Sequence, residues 1–344
     1  MNNSVGDVKK IPLVTKFDDE IKGLVLECIE IAKNDWNSRE ISWNFSRSPL
    51  LKPLTSIALS LAQWESDVLD DFLSLRKLEE RINEKLIAIY GLEDELKSEV
   101  ELKDITILQD ELKLEILSTW GNSISPSREK SPISRAVVIK NLLSFSVGCF
   151  LGRYRLDKPG LNIAYPLESQ EELSAYKYNG ITFEIDDDAI IPIMGVESPF
   201  SDDIVQRVQQ FVLMVWGEDS YTENLNFINE ALGEDLEKYL TRKFWDFHRK
   251  MYKKRPIYWQ FASPNGAFKV LTYMHRMNRF TVQKIRQNYL FKQINYLESE
   301  ITRLKANEAS LNSTEAKKLD RFRSNLLECR DYDLLLKDVA DRQI

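Results

Sequence analysis

Eleven apolar residues, Leu54, Ile57, Leu61, Trp64, Val68, Phe72, Leu75, Leu78, Ile82, Leu86 and Ile89, are spaced so that ten intervals cover 35 residues. A mean step of about 3.5 is the heptad period and not the 3.6 of an isolated globular helix. The run predicts one helix about 55 Å long, closed by Gly91 as a C′ stop. Ile105, Leu108, Leu112 and Ile116 then share one helical face. The spacing predicts a second helix packed antiparallel on the first, a spacer or docking arm without a catalytic pocket. An earlier helix over 18–34 has Asp18 or Asp19 as its cap and Ile21, Leu24, Val25, Cys28 and Ala32 on one face.

Twelve glycines and eleven prolines in 344 residues are few for an open α/β sheet or a turn-rich all-β domain. Residues 121–132 (GNSISPSREKSP) form the best linker, and Ser134 caps a helix over Arg135–Leu151 that is apolar on most faces and hence central. Asn179-Gly180 between Tyr176–Tyr178 and Ile181–Ile185 is a two-residue hairpin signal. Helices are predicted over 202–216, 222–232 and 234–251. Two strands follow, Pro256–Ala262 and Ala267–Met274, around the β-turn sequence Ser263-Pro264-Asn265-Gly266. Two long helices, about 281–308 and 314–340, close the chain. The fold class expected is mainly α with small β-hairpin insertions: long helical hairpins plus a mixed α/β lobe. Three domains are read: a helical spacer over 1–120, a lobe over 134–297 with an acidic first half and a basic second half, and a C-terminal hairpin over 298–344 whose first helix begins near 281.

The net charge of −7 conceals an asymmetry. Residues 146–240 carry 6 basic and 18 acidic side chains, whereas 241–297 carry 13 basic and one acidic, Asp246. A block of +12 attracts polyanions whatever the total; the alternative is that the two blocks neutralise each other across a packed interface. Phe244–Trp259 reads FWDFHRKMYKKRPIYW, with basic residues interleaved among aromatics. Cations release counterions on meeting phosphates, and aromatic rings stack on bases. The candidate DNA-binding residues are therefore Arg153, Arg155, Lys158, Arg249, Lys250, Lys253, Lys254, Arg255, Arg276, Arg279, Lys284 and Arg286.

Several chemistries find no motif. There is no GxxxxGK[ST], no GxGxxG after a strand, no GxSxG, no HExxH and no DxDxDG. Cys28, Cys149 and Cys329 lie far apart, which excludes a disulfide framework or zinc ribbon at the usual spacings and fits a reducing, cytoplasmic setting. No signal peptide opens the sequence, and no run of about 18 apolar residues exists to cross a membrane. His248 and His275 are read as structural or surface residues, and Asp186-Asp187-Asp188 as a solvated acidic loop. Catalytic, cofactor-binding and metal residues are expected to be absent.

The run Lys253–His275, KKRPIYWQFASPNGAFKVLTYMH, resembles the C-terminal part of PglX, the adenine-specific DNA methyltransferase of BREX phage-defence systems. Glu40–Phe45 (EISWNF), Leu78–Glu95 (LEERINEKLIAIYGLEDE) and Gly148–Leu161 (GCFLGRYRLDKPGL) match in the same order, so the resemblance extends from about residue 35 to 300. Members of that family transfer a methyl group from S-adenosylmethionine to adenine N6, using a glycine-bearing cofactor loop and an Asn-Pro-Pro-Tyr/Phe loop. This sequence has neither, and no Asn-Pro or Pro-Pro dipeptide. The resemblance implies a non-catalytic DNA-engaging and docking part of such an enzyme, as from a split or truncated gene, with S-adenosylmethionine bound only by a full-length member. The partners it implies are duplex DNA, a separate catalytic chain and other BREX proteins. The alternative is a protein-interaction scaffold of the defence complex with no DNA affinity of its own.

Overall fold

The computed structural model describes residues 19–117, 131–165, 170–306 and 311–342. Among the described residues the chain is mainly helical with two small antiparallel sheets. It divides into two compact units: residues 1–39 with 62–134, so far as they are described, and residues 40–61 with 135–344. The cap Asp18, residues 121–130 of the expected linker and residue 310 of the last helix–helix joint lie outside the described residues.

In the first unit, α1 (Asp19–Asn37) lies beside α2 (Ile57–Tyr90), whose first residues belong to the other unit. Ser56 Oγ accepts from the Leu59 N–H at 3.3 Å at the start of α2. Gly91 ends the helix at φ +64°, and the Leu92 N–H reaches back to the Ile87 carbonyl at 3.0 Å. Glu20, in the first turn of α1, pairs with Lys85 at 2.6 Å and with Arg81. The expected long second helix over 105–116 does not form. A 3₁₀ turn spans Leu102–Asp104, and α-helix is confined to α3 (Leu114–Leu117). Side chains of α2 bond the residues just before that segment, and a side chain of α1 bonds Leu108 within it. Arg76 Nε donates to the Val100 carbonyl at 2.8 Å, Asn83 Nδ2 donates to the Ser98 carbonyl at 3.2 Å, and Glu80 accepts from the Val100 N–H. Leu108 is left-handed at φ +58°, with its N–H bonded to the Asp35 carboxylate. Arg39 ties Asp35 to the buried Glu111 at 3.1 and 2.9 Å. At Leu108 a side chain thus satisfies the N–H that a helix would have satisfied, while the Lys113 N–H donates to the Pro132 carbonyl at 2.7 Å instead of to its own segment.

The second unit is built on α4 (Arg135–Phe150), buried on all sides from Leu142 onward, as expected of a central helix. α5 (Ile204–Trp216) and α6 (Tyr221–Leu232) pack against it. The expected single helix over 234–251 is two, α7 (Leu236–Arg242) and α8 (Phe244–Met251), broken at Lys243. β1 (Tyr176–Tyr178) and β2 (Ile181–Phe183) form the hairpin foreseen at Asn179-Gly180, whose φ values of +48° and +80° suit a type I′ turn. Asn179 Nδ2 also binds the Met214 and Val215 carbonyls, tying the turn to the end of α5. The second sheet has the order β3 (Ile190–Pro192), β5 (Lys269–Tyr273), β4 (Tyr258–Ala262), with Ile190 opposite Thr272 and Trp259 on the other side of Thr272.

After β5 come α9 (Thr281–Lys284), a π-helical turn over Ile285–Leu290, and α10 (Phe291–Lys305), which pairs with α11 (Ser313–Asp341). Asn312 and Glu315 form a capping box at the start of α11. Leu297, Ile301, Leu304, Leu319, Phe322, Cys329 and Leu336 share one core with Ile190, Phe268 and Val270. The hairpin therefore packs on the sheet, within the second unit and not as a body of its own. No helix among the described residues is long and apolar enough to cross a membrane.

Candidate nucleic-acid interface

The basic aromatic run Phe244–Trp259 folds as a helix, a tight loop and a strand. α8 stops at Met251, and the chain reverses through Lys253 and Lys254, at φ +50° and +65°. Two consecutive left-handed non-glycine residues are costly and persist only when neighbours enforce them. The Lys254 N–H binds the Arg249 carbonyl at 2.8 Å, and the Arg255 N–H binds the Tyr252 carbonyl at 2.8 Å. The loop is thus fixed, and Lys250, Lys253, Lys254 and Arg255 are all exposed on it. Arg249 lies 4.9 Å from the Trp245 ring centre and pairs with Asp246 at 3.0 Å. Trp245 in turn meets Trp259, which is 44% exposed, edge to face.

Four of the candidate cations serve the interior. Arg153 is 9% exposed; its Nε donates to the Tyr154 hydroxyl at 2.9 Å and its Nη1 to the Tyr273 hydroxyl at 3.3 Å. Arg155, equally buried, chelates Asp157 with two 2.8 Å bonds, donates to the Ser174 carbonyl and covers the Tyr176 ring. Arg276 donates to the Leu151, Asp186 and Asp187 carbonyls, and Arg286 pairs with Asp333 at 2.5 Å. Lys158 and Arg279 are exposed, Arg279 against Phe280, and Lys284 is half-buried. Neutralisation between the acidic and basic blocks is real but partial: Lys243 pairs with Glu234 at 2.6 Å and Arg276 meets the Asp186–Asp188 turn. Lys250, Lys253, Lys254 and Arg255 form no ion pair among the described residues.

Beneath the loop lies a buried polar cluster that sequence reasoning missed. The Glu40 carboxylate accepts from the Tyr252 hydroxyl at 3.2 Å and stands 4.0 Å from Arg153 Nε. Burial pushes the Glu40 carboxyl above its ordinary value against the pull of Arg153. His248 Nε2 accepts the Ile257 and Tyr258 N–H groups at 3.2 Å each, and the ring stacks on Tyr258 at 4.4 Å. Burial first, and Arg153 second, depress its pKa to about 3, so it is a neutral brace and not an accessible base. Gly148 is required by the same cluster: a Cβ there would lie 2.7 Å from Tyr154 Cδ2 and 2.9 Å from the Tyr258 hydroxyl. Glu40, Gly148 with Arg153, and Tyr258 with Tyr273 come from three of the four segments that resemble PglX. Their shared strings are the only sign in the sequence that they meet.

The acidic triplet is not the solvated loop expected. Asp186 is 3% exposed, pairs with Arg207 at 3.3 Å and, with Asp188, accepts the Ile190 N–H. Asp188 also accepts from Tyr289 at 3.0 Å. Burial, reinforced by Asp188, pushes the Asp186 carboxyl up to about 7. These bonds hold Asp186 and Asp188 in the turn, while Asp187 is exposed.

No family model matches the chain. Over its whole length it is 34% identical to the adenine-specific methyltransferase BrxX of Escherichia coli O9:H4 (strain HS), of which it covers 29%. It is 31% identical, again over its whole length, to the adenine-specific methyltransferase PglX of Lacticaseibacillus casei (strain Zhang), of which it covers 28%. The chain matches one region of the PglX-type adenine-specific methyltransferases. That agrees with a C-terminal region, as the resemblance had implied. It spans less than a third of the curated relatives it matches. The buried cluster around Glu40 and Arg153 therefore belongs to a stretch similar to PglX-type proteins from end to end.

Proposed function

We propose that this chain is the DNA-engaging part of a PglX-type adenine-specific DNA methyltransferase, without a catalytic centre of its own. The observation that carries this reading is the rigid loop at the end of α8, where Lys250, Lys253, Lys254 and Arg255 stand exposed without carboxylate partners among the described residues. Unpaired cations held in fixed positions gain from phosphate contact, because each contact releases condensed counterions. Trp259, beside Trp245 and Arg249, supplies a ring at the edge of that surface. Methyl transfer from S-adenosylmethionine is assigned to the remainder of such an enzyme, in keeping with the lack of a cofactor loop and an Asn-Pro-Pro-Tyr motif here. Lys158, Arg279 and Lys284 remain secondary phosphate contacts. Arg153, Arg155, Arg276 and Arg286 act as supports.

The test is duplex-DNA binding by the purified chain across a salt series. The logarithm of the binding constant should fall linearly with that of salt, with a slope of about −0.9 per phosphate neutralised. A Lys253→Glu/Lys254→Glu/Arg255→Glu variant should bind weakly and show a shallower slope. Equal binding by the variant sinks the reading, and transfer of a labelled methyl group to DNA by this chain alone would refute its non-catalytic part.

A scaffold without DNA affinity is favoured by one separate feature. Val25, Ile29 and Trp36 follow one another at helical spacing on α1 and are 39%, 54% and 50% exposed. Capture of a PglX-type catalytic chain by a protein that ignores DNA would support this second reading.

A further inference from the structure

A cleft of about 720 Å³ opens in the second unit among α7, the β4–β5 turn and the C-terminal hairpin. A second hollow of about 420 Å³, walled by Trp245 and Gln260, adjoins it across Thr241, Arg242 and Lys269. The first volume is in the range of small-molecule sites. Its acids are already engaged. Glu237 Oε1 accepts the Val196 N–H at 3.0 Å, and the two oxygens of Glu197 hold Lys318 and Arg321 at 3.0 and 2.9 Å.

Its remaining cations have no such partner. Arg242 is exposed at the end of α7, and Lys269 bonds through its ammonium to the Thr241 carbonyl. Neither forms an ion pair among the described residues. Burial and the nearby Arg242 charge both lower the Lys269 pKa. The Asp203 charge acts on Lys269 without pairing with it, so two like charges on one polar hollow mark a place for an anion of the ligand. Gln293, only 3% exposed in the cleft wall, leaves its Oε1 without a donor, an arrangement that a ligand N–H would relieve. Asn325 and the Tyr296 ring complete a wall of amides and aromatic surface suited to a base.

We propose that this cleft binds a phosphate-bearing nucleotide unit, with Arg242 and Lys269 on the phosphate and Gln293 toward an N–H of the base. The same chemistry is offered by a free nucleotide and by one unit of a DNA strand. The proposal does not depend on duplex contact by the loop after α8.

The experiment is calorimetric titration of the full chain with dAMP, inorganic phosphate and a short single-stranded oligonucleotide. dAMP should bind, and Arg242→Ala, at an exposed position, should weaken it about tenfold. Gln293→Leu should weaken dAMP while leaving inorganic phosphate unchanged, and Lys269→Met should weaken both. An oligonucleotide that binds more tightly than dAMP identifies a strand as the source, and equal affinity identifies a free nucleotide. The Lys253/Lys254/Arg255 charge-reversed chain should bind dAMP as the original does, which separates this site from the duplex surface. Failure of the folded chain to bind dAMP at millimolar concentration, or indifference of that binding to Arg242→Ala or Gln293→Leu, would overturn the proposal.

Discussion

Arg153 Nε lies 4.0 Å from Glu40 Oε1, with the two side chains 10% and 3% exposed. The charges are too far apart for a tight pair and too deep for water to screen. Arg153 bonds the hydroxyls of Tyr154 and Tyr273, and Glu40 Oε1 accepts from that of Tyr252. The pair is valuable to the fold only while both members are present, because a single buried charge is left uncompensated.

Glu40→Ala should therefore cost about 3–5 kcal/mol, read from the shift of the urea unfolding midpoint. Glu40→Gln keeps the volume and the acceptor for Tyr252 but also leaves Arg153 unpaired, and should cost nearly as much. A clearly smaller loss for Glu40→Gln would show that shape and the Tyr252 bond, and not charge, govern the site.

His248 gives stability a definite pH dependence. Its ordinary pKa of 6.5 falls to about 3 in the fold, so the unfolded chain takes up the proton first. The stability this neutral ring contributes is complete above pH 6.5 and declines as pH falls toward 3. The limiting slope is about 1.4 kcal/mol per pH unit. Denaturation curves for the original chain and His248→Gln, compared over that window, should differ by this slope.

Gly148→Ala tests the close approach of α4 to the tyrosine cluster. The added methyl would meet Tyr154 Cδ2 at 2.7 Å in a packed interior. We expect a loss of about 1–3 kcal/mol in thermal or chemical unfolding. Full retention of stability would mean that Tyr154 can withdraw.

Arg155 and Lys254 should separate cleanly. Arg155→Ala removes the chelated Asp157 contact and should cost about 1–3 kcal/mol of stability while leaving the salt slope of DNA binding unchanged. Lys254→Ala should do the reverse, reducing the slope by about one with a midpoint shift below about 0.5 kcal/mol.

Features decided by neighbours in sequence were readable in advance. The Asn179-Gly180 hairpin, the Gly91 stop and the turn at Ser263–Gly266 depend on local backbone preferences. Ile190 pairing with Thr272 depends on a distant strand, and no periodicity announces it. The segment before α3 carries a helical apolar pattern, yet the Asp35 carboxylate on α1 claims the N–H of Leu108, which turns left-handed. The candidate cations divide for a similar reason. A count of charges cannot distinguish Arg153, which bonds inward to Tyr154 and Tyr273 beside Glu40, from Lys253, which is turned outward by a left-handed backbone.

The π turn over Ile285–Leu290 has a mechanical consequence for the hairpin behind it. A π turn carries one residue more than an α turn over the same stretch, and one residue corresponds to about 100° of rotation. The angular setting of α10 is thus stored in this single wide turn. Deleting one residue from it would swing Leu297, Ile301 and Leu304 about a quarter-turn away from Leu319 and Phe322. The same deletion would carry Gln293 out of the cleft wall, so this one turn keys the hairpin to the sheet.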